Sequence, residues 1–264
     1  MNHALALIPA RLGSTRLPGK MLADVAGLPL FVRTYQAVQR AACFERVVVV
    51  TDSEHIMEVA ERHGAEAMLS LKEHASGTDR IAEALEILLG RMKGKAHNRL
   101  GKETLEHIPQ VVVNVQGDEP LVPAVVLQAL VGAFDRPERE VVTAACPMPL
   151  GVDPAHPDRV KVVLDASGKA LYFSRLPVPG RRDTVAEPPN YLMHLGLYAF
   201  RPSRLLEFPG LSPAPSEKAE MLEQLRLLHH GIPVHVLIVD APEHGVDNAD
   251  DLERVRRYYL NPSS

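Results

Sequence analysis

Short apolar runs alternate along this chain with stretches whose apolar residues recur every three or four positions. The runs Ala4–Pro9, Arg46–Thr51, Val111–Val115 and Val141–Cys146 are nearly unbroken, and the middle two are rich in valine. A strand of that kind needs cover on both faces, which is the situation in a parallel sheet. Glu66–Leu71 predicts a shorter strand. Between these lie predicted helices over Pro29–Ala42 (Leu30, Thr34, Ala37, Val38 and Ala41 on one face), Ser53–His63 (ended by Gly64), Gly77–Met92 and Pro123–Phe134. The β-α-β-α order predicts an α/β fold with an open, doubly wound, mostly parallel but mixed sheet and right-handed crossovers.

The second half changes character, with 18 of the 22 prolines at or after Pro120. Arg159–Leu164 and Ala170–Ser174 flank Asp165-Ala-Ser-Gly168, a turn signal with glycine where the backbone must be permissive, and together they predict an antiparallel hairpin. The expectation is a small β-hairpin subdomain within 155–200 that stands outside the main sheet as a lid or dimer contact. Leu195–Phe200 and Val234–Val239 predict strands, and Glu217–His229 predicts one helix with Met221, Leu222, Leu225 and Leu228 facing inward. Asn248–Tyr259 predicts a closing helix, capped by Asn248 with Asp251 at the capping-box position. The basic, polar stretch Arg91–Gln110 predicts a solvated loop, and residues 1–264 read as a single domain.

Length and composition bound the function. The chain has 264 residues, 46% hydrophobic and 23% charged, with a formal net charge of −4. Bulk charge gives no grip on nucleic acid, so an anionic ligand must be held by a few local cations and backbone amides. Cys43 and Cys146 lack metal-ligand spacing and are expected as reduced thiols. The first residues show no basic segment before an apolar core of signal-peptide type, and no apolar run approaches the ~18 residues a membrane span needs. The expectation is a cytoplasmic protein with no membrane partner.

The strongest chemical signal follows the first strand, in Pro9-Ala10-Arg11-Leu-Gly-Ser14-Thr-Arg16-Leu-Pro-Gly-Lys20. Ligands of open α/β sheets sit at the carboxyl ends of strands. A glycine-containing loop there can aim backbone N–H groups at a phosphate chain, and Arg11, Arg16 and Lys20 add three cations within ten residues. The Walker A pattern does not fit: five residues separate Gly13 from Gly19, and Met21 stands where a Ser or Thr would reach the metal. A basic surface turn is the plainer alternative. Asp118, in Gln116-Gly-Asp-Glu-Pro120, ends the Val111–Val115 strand and could hold Mg²⁺ or simply form a turn. Asp247, in Gly245-Val-Asp247, could be its second carboxylate or a helix-start residue. Ser76-Gly77-Thr78-Asp79-Arg80 opens a helix and, taken alone, reads as an ordinary cap with Thr78 as the capping residue.

The loop resembles the signature of sugar nucleotidyltransferases, and its form is similar to that of the cytidylyltransferases acting on 3-deoxy-manno-octulosonate (KDO), the CMP-KDO synthetases. The likeness continues at Ser76–Arg80, Val113–Pro120, Val160–Leu164, Ala170–Arg175, His194–Tyr198, Glu220–Arg226 and Gly245–Asp247. Met193, Gly180, Phe200 and the long 91–110 connection depart from the family form. The resemblance implies a nucleotide-diphospho-sugar transferase fold that binds CTP through Pro9, Ala10, Arg11, Ser14, Arg16, Lys20, Ser76, Gly77, Arg80 and Asp118. It implies KDO contacts from Gln116, His194, Tyr198, Glu223 and Gln224, and a catalytic Mg²⁺ on Asp118 and Asp247. Arg11 and Lys20 would share the catalytic work with those two carboxylates. A homodimer and a place in lipopolysaccharide synthesis of Gram-negative bacteria follow from the same likeness. Two alternatives stay open: a cytidylyltransferase for another acidic sugar, such as an amino-KDO or a nonulosonate, and a glycosyltransferase-like or purely nucleotide-binding α/β module with no nucleotidyl transfer.

Overall fold

The computed structural model describes residues 3–13, 17–74, 76–90, 105, 107–180, 182, 189–240 and 245–261. β1 (Ala4–Ala10), buried at every position, leads through the glycine loop into a small separate hairpin of β2 (Asp24–Val25) and β3 (Leu28–Pro29), then α1 (Leu30–Arg40). β4 (Arg46–Thr51), α2 (Glu54–Arg62), β5 (Ala67–Leu69), α3 (Gly77–Leu88), β6 (Val111–Asn114), α4 (Ala124–Gly132) and β7 (Val141–Pro147) follow. The later half supplies β8 (Lys161–Leu164), β9 (Ala170–Ser174), β10 (Leu192–Phe200), α5 (Pro202–Glu207), α6 (Pro215–Glu220), α7 (Leu225–His229), β11 (His235–Ile238) and α8 (Ala249–Leu260).

The main path of the sheet runs β11-β7-β10-β6-β1-β4-β5. β1 is parallel to β4 and β6, β5 extends that set, and β11 is parallel to β7. On this path, among the described residues, β10 runs against its neighbours β6 and β7, which makes the sheet mixed as expected. Alternation along β1 divides the core. Ala4, Ala6 and Ile8 share one apolar cluster with Phe31, Val38, Ile56 and Leu127, from α1, α2 and α4. Leu5 and Leu7 share the other with Ile81 and Leu85 of α3, Leu205 of α5 and Leu225 of α7. Each Leu, Ile, Val or Phe among them, once fully buried, contributes about 1.5–3 kcal/mol relative to exposure, so strand and helix faces together stabilise the two layers. Polar caps then set helix starts. Ser53 Oγ accepts from Ile56 N at 3.3 Å, and Asn248 Oδ1 accepts from Asp251 N at 2.9 Å while Asp251 Oδ2 accepts from Asn248 N at 3.3 Å.

Three expectations change. The helix expected over Glu217–His229 is two short helices, because Met221 adopts the left-handed conformation at φ 53° and is 77% exposed instead of inward-facing. Side-chain ties explain the break: Arg226 grips Glu217 at 2.5–3.2 Å, and the Glu220 carboxylate accepts from Ser174 Oγ at 2.7 Å and Arg175 N at 2.9 Å. The first contact folds α7 back onto α6, closing a gap of nine residues that a continuous helix would hold roughly 13 Å apart, and the second ties α6 to the hairpin. The hairpin expected outside the sheet is joined to it. β8 pairs with Leu192 and Met193 of β10, and the hairpin tip bonds β11 through Ala170 N to Val234 O at 2.8 Å and Val236 N to Gly168 O at 2.9 Å. Finally, α3 is capped by Ser76 and not by Thr78: Ser76 Oγ accepts from Asp79 N at 3.1 Å. Most of the 91–110 loop lies outside the described residues.

Gly117 shows how tightly the loops above β1 and β6 meet. A Cβ there would stand 2.9 Å from the Pro9 carbonyl and 3.0 Å from Met21 Sδ, and the backbone partner cannot swing away. Gly117→Ala is therefore expected to destabilise the protein by about 1–3 kcal/mol through overpacking. Thermal unfolding reads this as a lowered Tm, and an unchanged Tm would show that the two loops are free to part.

Candidate active site

The carboxyl ends of β1 and β6 carry adjacent loops, and the turn before α8 reaches them from the other end of the chain. Lys20, 8% exposed, lies where these three meet. Its Nζ pairs with Asp118 Oδ2 and donates to the carbonyl of Val246 at 2.8 Å, while Val246 N donates to the Asp118 carbonyl at 2.9 Å. Thr34 Oγ1, from α1, holds Gly117 O at 2.9 Å from beneath. A lysine this buried needs partners for its charge, and both acceptors come from segments far away in sequence.

One side of this knot opens into a cavity of about 270 Å³ lined by Pro9, Ala10, Arg11, Gly13, Lys20, Met21, His74, Ser76, Gly77, Arg80, Gln116, Asp118 and Asp247. Of the residues expected to take a nucleotide, Pro9, Ala10, Arg11, Lys20, Ser76, Gly77, Arg80 and Asp118 converge here. Ser14 and Arg16 lie outside the described residues. Arg80 reaches the wall with donors already in use, one to Asp52 Oδ2 at 2.6 Å and one to the Ala10 carbonyl at 3.4 Å. Burial by itself would raise the Asp52 carboxyl, but the Arg80 hydrogen bond and charge outweigh it and hold Asp52 below the usual carboxylate range. The guanidinium is thereby pinned in the wall.

Sequence reasoning missed Asp52, which holds Arg80, and His74, which lines the cavity. Asp52 had a signal, since it directly follows a valine strand at its carboxyl end. His74 had none: its Nε2 meets Glu83 at 2.9 Å, a carboxylate that also accepts from Leu71 N at 3.0 Å, and nothing in their spacing announces the pair.

The other side of the knot opens into a second cavity, about 370 Å³, which Gln116, Asp118 and Asp247 also line. His194, Tyr198, Glu223 and Gln224, the remaining expected ligand residues, all face it. The break after α6 is what places Glu223 and Gln224 there. Thr78 Oγ1 donates to Glu223 Oε1 at 2.5 Å, so the start of α3 ties the two cavities together. Burial raises the Glu223 carboxyl above its ordinary value. Burial, helped by the Glu223 charge, raises the Tyr198 phenol well above its own. Burial also lowers the His194 imidazole to about 3, so it is neutral at ordinary pH. Glu223 Oε2 and the Tyr198 hydroxyl are buried without a hydrogen-bond partner among the described residues. An unpaired buried polar atom is costly, and both belong to side chains that line the cavity. Arg175 lines the cavity too, but its guanidinium clasps the carbonyls of Glu220 at 2.7 Å, Pro157 at 2.8 Å and Met221 at 3.3 Å.

Asp118 and Asp247 thus stand on the seam between two chambers. Lys20 takes Oδ2 of Asp118, and Oδ1 makes no hydrogen bond among the described residues. No group of three or more His, Cys, Asp or Glu side chains suited to a metal occurs among them. Two carboxylates at an anion-binding loop fit a Mg²⁺ ion whose other ligands are water and substrate phosphate, as that ion prefers.

A family model described as cytidylyltransferase matches residues 5–236. The chain is similar to the CMP:2-keto-3-deoxy-manno-octonic acid synthetase solved in complex with CTP, at 33% identity and a TM-score of 0.84, over 98% of this chain and 99% of that one. A cytidylyltransferase from Leptospira borgpetersenii serovar Hardjo-bovis shares the fold at 14% identity, with a TM-score of 0.59 over 98% of this chain and 87% of that one. So does the 4-diphosphocytidyl-2C-methyl-D-erythritol synthase of Anaerococcus prevotii, at 14% identity and a TM-score of 0.58, over 98% and 99%. Among the described residues no helix is long and apolar enough to cross a membrane.

Proposed function

The chain belongs to the cytidylyltransferase family, and we propose that it transfers CMP from CTP to KDO, giving CMP-KDO and pyrophosphate. The observation that carries this reading is the pair of chambers meeting at Asp118 and Asp247, one under a cationic glycine loop and the other lined by many hydrogen-bonding side chains, among them Gln116, His194, Tyr198 and Gln224. CTP fits the first, with its base toward Ser76, Gly77 and the pinned Arg80. KDO fits the second, against Gln116, His194, Tyr198, Glu223 and Gln224. The sugar and the α-phosphate then meet at the seam.

The anomeric 2-hydroxyl oxygen of KDO attacks the α-phosphorus as the bond to the bridging β-phosphate oxygen breaks. Pyrophosphate leaves opposite the nucleophile, and the hydroxyl proton is released. Transfer of this kind depends on positioning and charge stabilisation more than on covalent chemistry by the protein. Lys20, fixed by Asp118 and Val246, and the exposed Arg11 place positive charge beside the phosphates. Asp118 and Asp247 would hold Mg²⁺, which as a Lewis acid supplies charge neutralisation and a more acidic hydroxyl. His194 and Tyr198 orient the sugar while remaining uncharged, and Gln116 faces both substrates. A homodimer belongs to the same reading, supported by exposed Leu171 and Leu176 on and beside the hairpin. So do a cytoplasmic site and a role in lipopolysaccharide synthesis.

Pyrophosphate release should require CTP, Mg²⁺ and KDO together, with little release when UTP, ATP or sialic acid is substituted. Release with a different sugar acid would keep the chemistry and move the substrate. CTP binding without release for any sugar would contradict the transfer itself. Lys20→Ala should lower turnover by roughly 10²–10³, the cost of a lost electrostatic donor. Turnover within about threefold of the parent, in a variant that still unfolds cooperatively, would remove Lys20 from that role.

A further inference from the structure

The wall of the second cavity contains a hydrogen-bond relay that nothing so far uses. Thr143, on β7, is completely buried. Its hydroxyl lies 2.6 Å from the carbonyl of Leu197, 2.9 Å from His194 Nε2 and 3.4 Å from the carbonyl of Leu195. The register of β10 against β7 shifts between Leu195 and Tyr198, so Gly196 and Leu197 fall outside the ladder. The Thr143 hydroxyl answers the Leu197 carbonyl that this irregularity releases.

A threonine hydroxyl has one proton and two acceptor positions. A carbonyl can only accept, so the short contact to Leu197 takes the proton. His194 Nε2 must then be the donor to Thr143 Oγ1. The opposite tautomer would set two acceptors, Leu197 O and Nε2, against a single proton and leave one of them buried and unpaired. Burial keeps the ring neutral, so only one nitrogen carries hydrogen. The ring cannot turn freely either: Phe173 meets it edge-on at 4.9 Å and Tyr198 lies 5.3 Å away. Nδ1 is left as a bare acceptor, without a hydrogen bond among the described residues, on a side chain that lines the cavity.

We propose that Thr143 is a positioning residue that fixes the proton of His194 on Nε2, so that the second cavity presents the acceptor Nδ1 and selects a ligand hydroxyl at that point. A carboxylate oxygen, itself only an acceptor, is repelled from the same place. The acidic sugar is thereby turned with a hydroxyl on His194 and its carboxylate elsewhere. The ligand side of this proposal rests on the sugar assignment above. The tautomer does not.

The tautomer is read directly from long-range ¹H–¹⁵N spectra of the imidazole in the ligand-free protein. The parent should show His194 protonated on Nε2. Thr143→Val, nearly isosteric but without the hydroxyl, should lose that single tautomer, and Thr143→Ser should restore it. In steady-state kinetics Thr143→Val should raise the KM for KDO roughly five- to tenfold, the worth of one neutral hydrogen bond, with kcat and the KM for CTP within about twofold. Thr143→Ser should return the KM for KDO to the parent value. An Nδ1-protonated His194 in the parent would overturn the proposal, and this reading needs no variant to fold. A Thr143→Val protein with an unchanged tautomer and unchanged KM would overturn it equally. Absence of turnover with KDO would count against the sugar assignment, whereas the spectrum judges Thr143 alone.

Discussion

Everything at this site hangs on one buried charge. A lysine that is 8% exposed cannot stay ionised without partners, and Lys20 finds them in Asp118, after β6, and in the Val246 carbonyl, before α8. The ion pair closes a contact between segments 98 and 226 residues from Lys20. Breaking it from either side would strand a partly buried charge, which is far more costly than the pair is stabilising. The glycine loop, the end of the central strands and the closing helix are therefore held in register by the same three groups that border the reaction centre. Gly117, packed against the Pro9 carbonyl, and Thr34, bonded to Gly117 O, carry that constraint down into the core.

The two chambers follow from this knot. Because Asp118 and Asp247 are fixed on either strand of it, whatever binds in one chamber faces whatever binds in the other across the carboxylates. The chambers differ in kind. The first concentrates Lys20, Arg11 and Arg80 for an anionic ligand, whereas the second adds to its carboxylates an imidazole and a phenol that burial keeps uncharged, with the Glu223 carboxyl raised above its usual range.

Much of this was legible in the chain. The valine runs gave the parallel strands because their pattern leaves no wet face. The glycine loop was visible because three cations, two of them within the described residues, follow directly on a strand. Tertiary contacts hid the rest. Local periodicity supports a helix straight through Met221, and only the grips of Arg226 on Glu217 and of Glu220 on the hairpin break it, yet that break delivers Glu223 and Gln224 to the cleft. Thr78 looked like a cap and instead bonds Glu223, because Ser76 satisfies the helix start. The hairpin looked detached because a sequence does not show that β10 begins at Leu192, early enough to pair with β8. Asp52, His74 and Thr143 matter through partners distant in sequence, which spacing cannot reveal.

The central claim is that the cleft works by placing the sugar hydroxyl in line with the bond from the α-phosphorus to pyrophosphate, with no covalent enzyme intermediate. The stereochemical course at that phosphorus tests it most directly, with an α-phosphorothioate analogue of CTP of known configuration as the donor. A single in-line displacement predicts inversion in the CMP-sugar product. Retention would mean two successive displacements through a nucleotidylated side chain, and would contradict the account.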